Sequence, residues 1–105
     1  MTINLLGKNA ELEYSFNSFK YMEDFDISEL ANLEKTPFKI FGIAETMLIG
    51  ALNHDRKVIY TEDQVADYLA ELAIEGELFT LVEGLITLLE ASEFFKGLTR
   101  EKKAK

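Results

Sequence analysis

Apolar and polar positions alternate with a period of two at the start of the chain and then settle into helical spacing. Residues 3–6, Ile-Asn-Leu-Leu, are short and β-compatible, and Gly7-Lys8-Asn9 is a turn signal. Over Glu11–Phe16 the side chains alternate, with Leu12, Tyr14 and Phe16 on one face. Together these stretches predict a β-hairpin with one wet side. An isolated hairpin is marginal in water, so this one should lie on helices or pair with another sheet edge. A short helix is expected over 17–26, where Phe16, Phe19, Met22 and Phe25 fall near helical spacing. Asp26 or Ser28 would cap a second short piece over Glu29–Glu34, carrying Leu30 and Leu33.

Three longer helices follow. Thr36-Pro37 places a capping hydroxyl before proline at the first helical position, and the helix should run to about Leu52. Its apolar positions, from Phe38 and Phe41 through Met47 to Leu52, cover about 240° at 3.6 residues per turn. A helix apolar over most of its circumference belongs in the centre of a domain. Glu45 intrudes on that arc, either reaching out to water or a lysine, or fixing register in an interface. Gly42 and Gly50 should admit a close neighbour, since each costs about 1 kcal/mol of helix propensity relative to alanine. After the polar loop Asn53–Lys57 and an extended Val58-Ile59-Tyr60, Thr61-Glu62-Asp63-Gln64 matches a capping box. That helix should bury Val65, Tyr68, Leu69 and Leu72 and end at Gly76. The last helix starts near Glu77, and its apolar residues spread over about 180°, whereas a core-facing stripe needs only about 100°. Either the hairpin covers one flank of this helix and the central helix the other, or the surplus is a face left for another chain; on the second, favoured reading Leu81, Leu85, Leu88, Leu89, Phe94 and Phe95 are the partner-binding residues. The expected fold is α+β, mostly α: an N-terminal hairpin packed on a bundle of about four helices around a central apolar one.

Charge sharpens this picture. Residues 1–95 carry 18 acidic and 6 basic side chains, a net of −12, and are expected to form one globular domain. Residues 96–105, KGLTREKKAK, carry five basic and one acidic, and should form a flexible basic tail. An acidic body argues against general nucleic-acid binding, which needs cations opposite phosphates. The opening MTINLLGKNAELEY lacks the basic start and apolar run of a signal peptide, and no apolar stretch is long enough to span a bilayer. A cytoplasmic chain is therefore expected.

Catalytic chemistry finds little support. The chain has no cysteine and one histidine, His54, which is expected to be a solvated loop residue. Nucleophilic triads and nitrogen-rich metal sites lack their residues. The carboxylates lie on wet faces without the apolar surroundings that raise a catalytic pKa. Glu23-Asp24-Phe25-Asp26 lacks the spacing and the glycine of a calcium loop, and the helical glycines are isolated, so no phosphate-binding loop or cofactor is expected. Apolar surface is what survives, and the chain reads as a non-enzymatic interaction protein.

The layout as a whole resembles a known family. A short hairpin "MTINLLGKNAELEYSF" opens the chain, and a central apolar helix "TPFKIFGIAETMLIGAL" follows. A helix opened by "YTEDQVADYLAE" comes next, then an apolar C-terminal helix and the ending "SEFFKGLTREKKAK". In these features, over nearly its whole length, the chain resembles the small tail assembly chaperones of long-tailed phages and prophages of Gram-positive hosts. The resemblance implies binding to the tape-measure protein and recruitment of tail-tube subunits during tail morphogenesis in the host cytoplasm. It also implies a longer product made by ribosomal frameshift near the end of the reading frame, where Lys102-Lys103 would place the slippery codons. A groove that takes amphipathic helices by their apolar faces suits that role, and self-association through the same face is expected. The rival reading is a small acidic phage-encoded inhibitor that mimics DNA. It calls for carboxylates arrayed on one face, whereas here they are scattered over the helices and the hairpin.

Overall fold

A computed structural model describes residues 1–5, 7–33, 35–55 and 60–97. Strand β1 (Thr2–Leu5) pairs antiparallel with β2 (Lys8–Glu11), with Ile3 opposite Ala10 and Thr2 opposite Glu11. Gly7 turns the hairpin at φ +87°, a conformation open to glycine at little cost, and its amide donates to Asn4 Oδ1 at 3.0 Å. The second strand therefore comes earlier than the Glu11–Phe16 alternation predicts. Residues 12–15 are extended but unpaired with a strand. Leu12 and Tyr14 are buried as expected, while Phe16 lies on the surface because it opens helix α1 (Phe16–Lys20). Ser15 caps that short helix in a reciprocal pair of bonds with Ser18.

The piece expected over Glu29–Glu34 is a 3₁₀ helix, Ile27–Asn32, capped by Asp26. The Ser28 hydroxyl and amide both bond to the Asp26 carboxylate and hold its pKa below the ordinary value. Proline 37 opens a single 3₁₀ turn, Pro37–Lys39, before helix α2 (Ile40–Leu52) begins. Thr36 does not cap it: its hydroxyl donates backward to Asn32 O at 3.1 Å.

Helix α2 is the centre of the domain, packed against α1, helix α3 (Glu62–Glu75) and helix α4 (Leu78–Ala91). Its buried residues run from Ile40 through Met47 to Leu52, whereas Phe38 and Phe41 at its start face outward. Glu45 is half-buried. Gly50 is where α1 approaches closely: a Cβ there would lie 2.5 Å from Met22 Sδ and 3.3 Å from Ser18 O. Gly42 has no such neighbour, so only one of the two helical glycines serves close packing. Helix α3 has the expected capping box between Thr61 and Gln64. It closes at Gly76 (φ +77°) in a Schellman pattern, with Gly76 N–H to Ala73 O and Glu77 N–H to Leu72 O.

The N-terminal segment completes the C-terminal end of α2. A helix end leaves about four carbonyls without intrahelical donors. Here Glu13 N–H donates to Ala51 O at 3.2 Å, and just past the helix Asn17 Nδ2 donates to Asn53 O at 2.6 Å and the Ser15 hydroxyl to His54 O. Asn53, fully buried, folds its amide back onto Ile49 O and exchanges bonds with the Tyr60 backbone. Tyr14 adds a buried bond from its hydroxyl to Met47 O at 2.8 Å. The fold is α+β and mostly helical, with one apolar core shared by the hairpin and the helices. Among the described residues no helix is long and apolar enough to cross a membrane. The extended reading of Val58-Ile59, most of the basic tail and Lys102-Lys103 lie outside the described residues.

Candidate interaction surface

Helix α4 carries the residues predicted to meet a partner, and the structure divides them. Leu81, Leu85 and Leu89 belong to the core, with Leu85 fully enclosed. This corrects the expectation of a free face. An apolar arc of about 180° is wide enough for two helical neighbours at about 100° each. Helix α4 has both α2 and α3 against it, and the Met1 side chain lies over Gly84 from the hairpin. Leu88 and Phe95 are half-buried at the edge of the core, and Phe94 is 47% exposed. The solvent-facing part of the predicted set is thus its C-terminal end.

There the chain turns. Ser92 leaves the helix in an extended conformation, and its hydroxyl accepts from Phe95 N–H at 3.2 Å to start a helical turn over 93–97. The turn carries Phe94 to α1. Its ring lies 6.1 Å from Phe16 and 6.1 Å from Phe19, edge-on to the latter, and Phe19 stacks on Tyr14 at 6.3 Å. Offset and edge-on rings attract through their quadrupoles, so Phe94 is held in place while part of its surface stays in water. Lys20 Nζ covers the Phe16 ring at 5.9 Å, yet Phe16 remains 65% exposed.

Beside this aromatic edge runs an open groove of about 410 Å³ between residues 13–14 and the end of α4. Leu88, Ala91, Phe94 and Tyr14 line it together with Ser15 and Ser92, and Glu13 and Glu93 form acidic rims. Burial raises the Tyr14 pKa well above its ordinary value. His54 approaches Glu13, Nδ1 to Oε2 at 3.5 Å, with its side chain only 15% exposed. The expectation of a solvated histidine is corrected: His54 is largely enclosed beside Glu13, in the segment that caps α2.

A second groove, of about 440 Å³, lies at the other end of α2, between Asp24–Asp26, Glu29 and the exposed Phe38. Its charges are largely engaged already, Lys39 with Glu29 at 3.8 Å and Asp26 with Ser28. Phe16, Phe38 and Phe41 are surface residues that sequence reasoning placed on buried faces. For Phe16 a signal existed: Ser15 with Ser18 three residues on is a helix-start pattern, and it ends the alternation that had put Phe16 beside Tyr14. Among the described residues no group of three or more acidic, histidine or cysteine side chains is arranged to hold a metal ion. No protein-family model, curated protein or solved structure matches the chain.

Proposed function

We propose that this protein is a non-enzymatic tail assembly chaperone. In this role it binds apolar helical segments of a tape-measure protein, keeps them soluble, and recruits tail-tube subunits in the bacterial cytoplasm. The reading rests on the resemblance in layout, and one observation supports it most: large aromatic side chains stand on the surface beside an open, partly apolar groove, in a chain of net charge −8. Exposed apolar clusters of this kind mark partner sites, and strong net charge keeps complexes in solution. The test is capture of tape-measure fragments by the wild-type chain and by Phe16→Ser and Phe94→Ser. Capture that both variants lose while remaining folded supports the proposal. A wild-type chain that leaves the fragments aggregating refutes it.

The acidic-inhibitor reading draws on one feature. Residues 60–95 contain nine acidic side chains and no lysine, arginine or histidine. It requires salt-sensitive inhibition of a DNA-binding enzyme that is insensitive to Phe94→Ser, which separates it cleanly from the chaperone.

A further inference from the structure

The groove beside Phe94 combines two properties: apolar side chains along part of its lining, and acidic rims. Leu88, Ala91 and Phe94 supply the lining, and the rings of Phe16 and Phe19 hold Phe94 ready. Glu13 and Glu93 stand on the rims with Ser15 and Ser92 between the apolar residues, and among the described residues no lysine or arginine lines the groove. His54 lies against Glu13, Lys20 covers the Phe16 ring, and Lys96 follows Glu93 by three residues. From this arrangement we propose that the groove docks a cationic amphipathic helix of another polypeptide. An apolar side chain of that helix sits on Leu88, Ala91 and Phe94, and its lysines or arginines meet Glu13 and Glu93.

The size of the groove suits the side chains of one helical face rather than a whole helix, so the partner lies along it. Apolar contact supplies the affinity, while the rim carboxylates select the sign of the partner and speed encounter. The uncompensated acidic run over 60–95 extends that selection beyond the contact itself. A second copy of this chain is the poorer occupant. A two-fold interface sets the same patch against itself, which would bring Glu13 and Glu93 against acidic rims of a chain that also carries −8.

The inference rests on the interaction-protein reading and adds the chemistry of the partner. It is tested by titrating the full chain with labelled peptides of about 18 residues, five helical turns long. One carries a leucine stripe flanked by lysines, the second has glutamates for the lysines, and the third keeps the lysines but scrambles the stripe. The lysine-striped peptide should bind at least about tenfold more tightly than either control at low salt. Glu13→Gln with Glu93→Gln should remove about tenfold of that affinity and flatten its salt dependence. Phe94→Ser should lose more. Ala91→Glu, an exposed change that fills the groove, keeps the test valid should Phe94→Ser fail to fold. Equal binding of the lysine and glutamate peptides, or unchanged binding by Ala91→Glu, overturns the proposal. So does a wild-type dimer that Ala91→Glu dissolves without any peptide binding, since a second copy is then the occupant. Tape-measure fragments captured equally by wild type and Ala91→Glu would leave the chaperone reading standing and remove the groove. Groove-dependent peptide binding without capture of any fragment would do the reverse.

Discussion

Leu85 and Phe94 are nine residues apart in a stretch of uniform apolar character, yet one is fully enclosed and the other stands half in water. The inner stripe of α4, Leu81, Leu85 and Leu89, is covered by two helices and the start of the hairpin. The turn after Ser92 sets Phe94 against the rings of the small helix α1. Apolar content therefore does not tell a core residue from a docking residue. What separates them is the number of elements left to cover each position once the central helix has taken its share.

The largest effect that would test this contrast is at Leu85. Leu85→Ala should destabilise the domain by about 2–5 kcal/mol, read from urea midpoints, because it leaves a cavity in a closed core. A cost below about 1 kcal/mol would show that the inner stripe is not fully packed. Next comes Gly50→Ala, which presses on Met22 and on the Ser18 carbonyl and so disturbs the seat of α1 beneath the aromatic edge. It should cost about 1–3 kcal/mol of overpacking, while Gly42→Ala, with open space around it, should gain about 1 kcal/mol from helix propensity.

Tyr14→Phe should cost about 0.5–1.5 kcal/mol by removing the bond to Met47 O. Its effect also depends on pH. The folded phenol is harder to ionise than the unfolded one, whose value is near 10, because it is buried. The contribution of Tyr14 is intact below that pH. Above it the unfolded chain loses the proton first, so wild-type stability falls by up to about 1.4 kcal/mol per pH unit from this group. The Phe variant lacks that slope, and denaturation curves between about pH 10 and pH 12 should converge with those of the wild type. Parallel curves would mean that Tyr14 reaches solvent. Smallest of all, Phe94→Ala should cost about 0.5–1 kcal/mol of thermal stability, the value of its ring contacts. A loss equal to that of Leu85→Ala would erase the distinction between the two sites.

Much of the fold was legible wherever a signal was local. The Thr61–Gln64 box and Gly76 fix both ends of α3 through bonds within a few residues of each other. The central place of α2 follows from an arc too wide for one neighbour. The misses share a different cause. Leu12 and Tyr14 alternate in burial like strand residues, but their segment pairs with the end of a helix far along the chain, which alternation cannot reveal. Thr36 resembles a cap, yet the 3₁₀ turn after Pro37 leaves its hydroxyl turned toward Asn32. The site was half legible: the composition of residues 78–95 marks an apolar region, and only packing shows that Phe94 faces out while Leu81, Leu85 and Leu89 do not.

The bonds from residues 13–17 to the last carbonyls of α2 also bear on the order of folding. Their partners stand 33 to 39 residues away, so these bonds come on top of the local closure by which Asn53 caps Ile49 O. A loop of that length must close first, at an entropic cost that precedes any reward. The opening segment is thus synthesised early but secured late, and the carbonyls of Ala51, Asn53 and His54 wait for it.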